Sequence, residues 1–107
     1  MSVVIIGGHD RMICQYKDIC RQYGYKAKIY TQAESNLEWK IGKPDLIVLF
    51  TNPVSHKMAI VAKKKADICG IALVQSHSGS KNALKSILSD VNYNKSIHKE
   101  SLEQFLY

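Results

Sequence analysis

Apolar residues follow two rhythms along this chain, and the rhythms alternate. Residues 3–6, Val-Val-Ile-Ile, form an unbroken β-branched run that stops at Gly7-Gly8. Runs of this kind mark strands buried on both faces of a parallel sheet. Residues 10–23 then switch to helical spacing. Met12, Ile13, Tyr16, Ile19, Cys20 and Tyr23 recur at three- and four-residue steps, with Arg11, Gln15, Asp18 and Gln22 between them. Gly24 stands where a glycine commonly ends a helix. Residues 25–30 alternate Lys26 and Lys28 with Ala27 and Ile29, as an outer strand does. Residues 31–42 offer only Leu37, Trp39 and Ile41, which predicts a short helix or an irregular segment.

The second half repeats the alternation. Pro44-Asp45 leads into Leu-Ile-Val-Leu-Phe at 46–50, the clearest buried strand, and Thr51-Asn52-Pro53 ends it. Residues 55–65 read as a helix with Met58, Ala59, Val61, Ala62 and Ala66 inward and Lys57, Lys63, Lys64 and Lys65 toward solvent. Residues 68–74 read as a fourth strand. Residues 75–80, Gln-Ser-His-Ser-Gly-Ser, form a polar loop with helix-capping chemistry. Leu84, Ile87, Leu88 and Val91 mark a fourth helix. The order predicts a three-layer α/β domain: a doubly wound parallel sheet of four or five strands, flavodoxin- or Rossmann-like, in order 2-1-3-4. The domain occupies residues 1–91. The tail at 92–107 carries Leu102, Phe105 and Leu106 and predicts a helix that docks on the domain or on a second copy.

Composition narrows this picture. The chain has 107 residues, 46% hydrophobic and 22% charged, the balance of one globular domain. No apolar run approaches the roughly 18 residues that span a bilayer. The start, Met-Ser-Val-Val-Ile-Ile-Gly-Gly, lacks the basic opening of a signal peptide, so a cytoplasmic protein is expected. Cys14, Cys20 and Cys69 form no C-x-x-C pair and predict reduced core thiols rather than a disulfide or a cysteine metal site. The formal charge of +6 admits an anionic partner.

Candidate chemistry gathers at one edge. In an open parallel sheet, ligands bind beyond the carboxyl ends of the strands. His9 follows strand one, His56 follows strand three and His77 follows strand four. In the order 2-1-3-4 those strands are neighbours. Neutral imidazole binds transition metals and haem iron, so His9, His56 and His77 are candidate metal ligands. Gly7, Gly8, Met12, Thr51, Ser55, Ser78 and Ser80 share the edge and complete a candidate cofactor site. The bland readings stand beside this one: Gly7-Gly8 as a tight turn, Ser78 or Ser80 as a helix cap, and Met12 and Met58 as core filling.

These landmarks resemble a bacterial family of small α/β domains of unknown function. The resemblance spans roughly residues 3 to 89. It rests on the first strand running through Gly7-Gly8 to His9, the apolar strand at 46–50, and Val54-Ser55-His56 opening a helix with Lys63-Lys64. The serine-rich loop at 76–80 completes it. Val54-Ser55-His56 is the most specific element. The chain departs from the family pattern at three places. Asn52-Pro53 replaces an Asp-Cys, Tyr30-Thr31-Gln32-Ala33 replaces a His-Asp-Gly-Gly, and Gln75 and His77 stand near a usual arginine. A scheme needing that cysteine or acid does not carry over; His56 does.

Four functions compete. The favoured one is a non-catalytic cofactor-binding domain, with haem or a divalent metal ion at the histidine edge and a homo-oligomer enclosing it. The second binds a small anionic or phosphorylated ligand through Gly7, Gly8, Ser78, Ser80 and the helix N-termini. Neither G-x-G-x-x-G nor a P-loop is present, which disfavours ordinary nucleotide sites. The third, nucleic-acid binding through Lys57, Lys63, Lys64, Lys65, Lys81 and Lys85, is not favoured, because basic helix faces are commonly just solvated. The fourth, catalysis, is the least expected. A phosphoacceptor receiver would need an acid after strand three, where Phe50-Thr51-Asn52 has none, and no nucleophile–base set follows from spacing.

Overall fold

A computed structural model describes residues 1–94 of the chain. Four strands are present among them: β1 (Ser2–Ile6), β2 (Lys26–Tyr30), β3 (Leu46–Asn52) and β4 (Ala72–Ser78). They form one parallel sheet in the order β2-β1-β3-β4. The helices are α1 (Ile13–Gln22), α2 (Leu37–Ile41), α3 (His56–Cys69) and α4 (Lys81–Asn94), and a 3₁₀ turn at Asp10–Met12 leads into α1. The predicted α/β architecture and strand order are thus those of the folded chain.

Each sheet face has its own apolar layer. Val3, Ile5, Leu46, Val48 and Phe50 point to one side, where Tyr16 and Ile19 of α1 and Leu84 and Leu88 of α4 cover them. Val4, Ile6, Ile47 and Leu49 point to the other, beneath Leu37 and Ile41 of α2 and Met58 and Ala62 of α3. This division is the period-2 consequence of strands buried on both faces. It also explains why residues 3–6 and 46–50 contain no polar position.

Several expected boundaries move. The strand placed at 68–74 begins at Ala72, because α3 continues to Cys69. Gly70 then closes the helix with φ +65°, and its N–H bonds the Ala66 carbonyl. Ile68 is therefore a solvent-facing helix residue, 71% exposed. His77 and Ser78 lie in β4, not in a loop. Thr51 and Asn52 likewise extend β3. Of the three thiols, all unpaired, only Cys20 is a core residue; Cys14 is exposed and Cys69 half-buried. Helix α4 runs through Asn94. The tail's Leu102, Phe105 and Leu106, and His98, lie outside the described residues.

Candidate functional site at the carboxyl edge

The carboxyl edge is built from glycines packed on a tyrosine. Gly7 and Gly8 have φ +94° and +83°, a backbone region that favours glycine. A Cβ on Gly7 would lie 2.2 Å from the Phe50 carbonyl oxygen, and one on Gly8 would lie 2.6 Å from the Tyr16 hydroxyl. Gly79, at the far end of β4, makes the same approach: its Cβ would lie 2.9 Å from that hydroxyl. Tyr16 is fully buried, its ring centroid 5.3 Å from that of Phe50. Burial raises its pKa, and the His9 main chain partly opposes the rise.

Main-chain bonds then draw the loops together. The Gly7 N–H donates to the Tyr30 carbonyl at 2.9 Å, and the Gly8 N–H donates to the Pro53 carbonyl at 2.9 Å. The second bond decides how the edge can be used. β1 leads to α1 on one face and β3 leads to α3 on the other, so the chain's winding reverses between these two strands. Such a reversal opens the crevice where ligands usually bind. Here Gly8 and Pro53 tie its two walls together. Both glycine amides are committed inside the protein, so the tight-turn reading of Gly7-Gly8 accounts for them.

The serines act chiefly as caps. Ser55 Oγ accepts from the Met58 N–H at 3.1 Å and starts α3. Ser80 Oγ accepts from the Ala83 N–H at 3.1 Å and starts α4. Ser78 Oγ accepts from the Ser80 N–H at 3.3 Å. Met12 packs half-buried against the α1/α4 layer, and Met58, 2% exposed, belongs to the opposite core. Core filling is therefore the role of Met58. Thr51 is exposed at the end of β3.

The histidines share the edge without forming one cluster. His9, His56 and His77 are all exposed. His9 precedes α1, whereas His56 opens α3 on the other face. By strand parity with Ile71 and Leu73, His77 falls on the α3 side. Its Nε2 lies 3.5 Å from Asn52 Nδ2. Among the described residues, no three His, Cys, Asp or Glu side chains are grouped so as to hold a metal ion. The winding reversal that separates α1 from α3 is the physical reason for this split. It argues against a three-histidine metal site within one chain.

One edge constellation escaped the sequence reading. The Asp10 carboxylate accepts hydrogen bonds from Thr31 Oγ1 and Gln32 Nε2, the two residues that follow β2. The pair ties the His9–Asp10 turn to the neighbouring strand end.

Residues 2–91 match the bacterial family described as "Uncharacterized protein conserved in bacteria (DUF2325)". The chain belongs to that family. This is the resemblance carried by Gly7-Gly8 and Val54-Ser55-His56. The family description assigns no activity. No curated protein matches this family member. A de novo designed Rossmann 2x2 protein, known from a solution NMR structure, shares its fold with a TM-score of 0.60. Sequence identity is 14%, over 89% of each chain. A designed scaffold of that similarity speaks to architecture alone. Among the described residues of this family member, no helix is long and apolar enough to cross a membrane.

Proposed function

We propose that this domain is a non-catalytic cofactor binder whose site is the carboxyl edge of the sheet, with haem favoured over a bare metal ion. The reading rests on His56. It holds the first position of α3, is exposed, and makes no side-chain hydrogen bond among the described residues. The Ser55 cap and the Gly8–Pro53 bond fix the backbone that presents it. Haem iron can be held by a single protein imidazole. A divalent ion in a protein site wants three or four converging ligands, and the described residues group no such set. Ile60 and Lys63 follow His56 at four and seven residues, on the same helical face, and both are exposed. They offer apolar contact for a porphyrin and a cation for its carboxylates. The edge side chains are exposed rather than enclosed, so two copies would cover the ring, with a His56 from each. Two competing readings lose support: the Gly7 and Gly8 amides are already bonded, and the lysines of α3 and α4 lie on opposite layers rather than along one track.

The test is the absorption spectrum and metal content of untagged protein, as purified and after addition of haemin. A Soret band that is lost or shifted in His56→Ala supports the proposal. Protein that stays colourless and metal-free after haemin addition overturns it.

A further inference from the structure

The opposite edge of the sheet carries a second feature that the histidines do not explain. A pocket of about 320 Å³ opens at the amino ends of β1 and β2, beside the turn from α2 into β3. Its apolar side is formed by Val4, Ile41 and Pro44, all buried. Lys26, Lys28 and Lys43 line the remainder, and all three are exposed. The volume lies at the small end of the range for small-molecule sites.

None of the three ammonium groups is in a described ion pair. The described ion pairs are Asp18–Arg21 and Glu34–Lys40, and neither involves the pocket. Asp45, the acidic residue just past Pro44, keeps its charge but turns it to the main chain, where its Oδ2 accepts from the Ser2 N–H at 2.8 Å, and it forms no described ion pair with a pocket lysine. Lys28 Nζ donates to the Lys40 carbonyl at 3.5 Å, and the side chains of Lys26 and Lys43 make no described polar contact. Two lysines on an edge strand commonly serve to block pairing with another chain. That role covers Lys26 and Lys28 on β2, but not Lys43, which comes from a different segment. Three like charges around an apolar recess repel one another, and an anion placed among them relieves that repulsion.

We infer that this pocket binds a small organic anion, an apolar body of a few carbons bearing one carboxylate or phosphate. The apolar part lies against Val4, Ile41 and Pro44, and the charged group faces Lys26, Lys28 and Lys43. The site is separate from the histidine edge, so it stands or falls independently of cofactor binding there.

The experiment is an NMR titration of the ¹⁵N-labelled full chain with octanoate, phenyl phosphate and inorganic phosphate. Two triple variants accompany it. K26Q/K28Q/K43Q alters the pocket, and K57Q/K64Q/K65Q removes the same charge from α3. The expected result is saturable shifts at the amides of Ser2, Val4, Ala27 and Ile41–Lys43 with octanoate or phenyl phosphate. Affinity should fall at least tenfold in the pocket triple and hold in the α3 triple. Which of the two organic probes binds more tightly distinguishes a carboxylate from a phosphate ligand. The inference is overturned by no saturable shift, by equal losses in both triples, or by inorganic phosphate binding as well as the organic probes. Circular dichroism of each variant confirms that the fold is retained.

Discussion

The Tyr16 hydroxyl donates a 2.5 Å hydrogen bond to the Gly79 carbonyl, joining positions 63 residues apart. α1 thereby holds the start of the turn into α4, and the same hydroxyl lies directly under Gly8. Tyr16→Phe keeps the ring against Phe50 but leaves the carbonyl without this donor. A net loss of about 1–2 kcal/mol is expected in urea unfolding. Faster amide exchange should follow at residues 79–81, while the α2/α3 layer stays as protected as before.

Gly7 tests the packing of the edge more severely. Gly7→Ala places a Cβ 2.2 Å from a main-chain oxygen, at a positive φ. Neither strain can relax through a side-chain rotation. The expected cost is about 3 kcal/mol or more. Gly70→Ala is the control. Its φ is also positive, but nothing lies within 4 Å of the added Cβ, so about 1 kcal/mol is expected. Equal denaturation midpoints for the two variants would contradict this account.

The alkaline limit of stability should depend on Cys20. Burial pushes its thiol from 9.0 up to about 11. The folded state therefore favours the protonated thiol, and the unfolded chain loses that proton first. The associated stability is complete below pH 9 and is lost as pH rises toward 11. Burial raises the Tyr16 phenol in the same direction. Thermal melts from pH 7 to 11 should show a falling Tm above pH 9. Cys20→Ala should start from a lower Tm because of the cavity, yet decline less steeply across that window.

How far these features could be read from sequence depends on the range of the interactions. Layers and strand order were legible because residues 3–6 and 46–50 are continuously apolar and the intervening helices are amphipathic. The start of β4 is not legible, because Ile68 and Ile71 read as one apolar run and a short run does not distinguish strand from helix. Gly70 was the missed signal: it ends α3 as Gly24 follows α1. The edge itself was legible only as a list of residues. The bonds that organise it, Gly8 to Pro53, Tyr16 to Gly79 and Asp10 to Thr31 and Gln32, link distant segments and leave no local pattern. The split of the histidines follows from the sides taken by α1 and α3, which strand order alone does not display.

The Asp10 contacts give a prediction specific to the first loop. Thr31→Val removes one donor to the carboxylate while keeping a β-branched shape. Asp10 and Thr31 are surface groups, so the stability change should stay within about 1 kcal/mol. The mobility of the His9–Asp10 turn should increase, read as faster amide exchange at residues 9–12 with β1 unaffected.

Ser55 and His56 are adjacent, but their roles should separate. Ser55→Ala removes the cap on Met58 N–H and should cost about 1 kcal/mol. His56→Ala removes an exposed side chain with no described hydrogen bond and should shift stability by no more than about 0.5 kcal/mol. Cofactor affinity should show the reverse order, with His56→Ala losing it and Ser55→Ala retaining most of it. Parallel urea unfolding and haemin titration of the two variants check both halves. If His56→Ala unfolds more easily than Ser55→Ala, the histidine is a structural part of α3. Equal haemin binding by His56→Ala and the unaltered chain would remove His56 from the site.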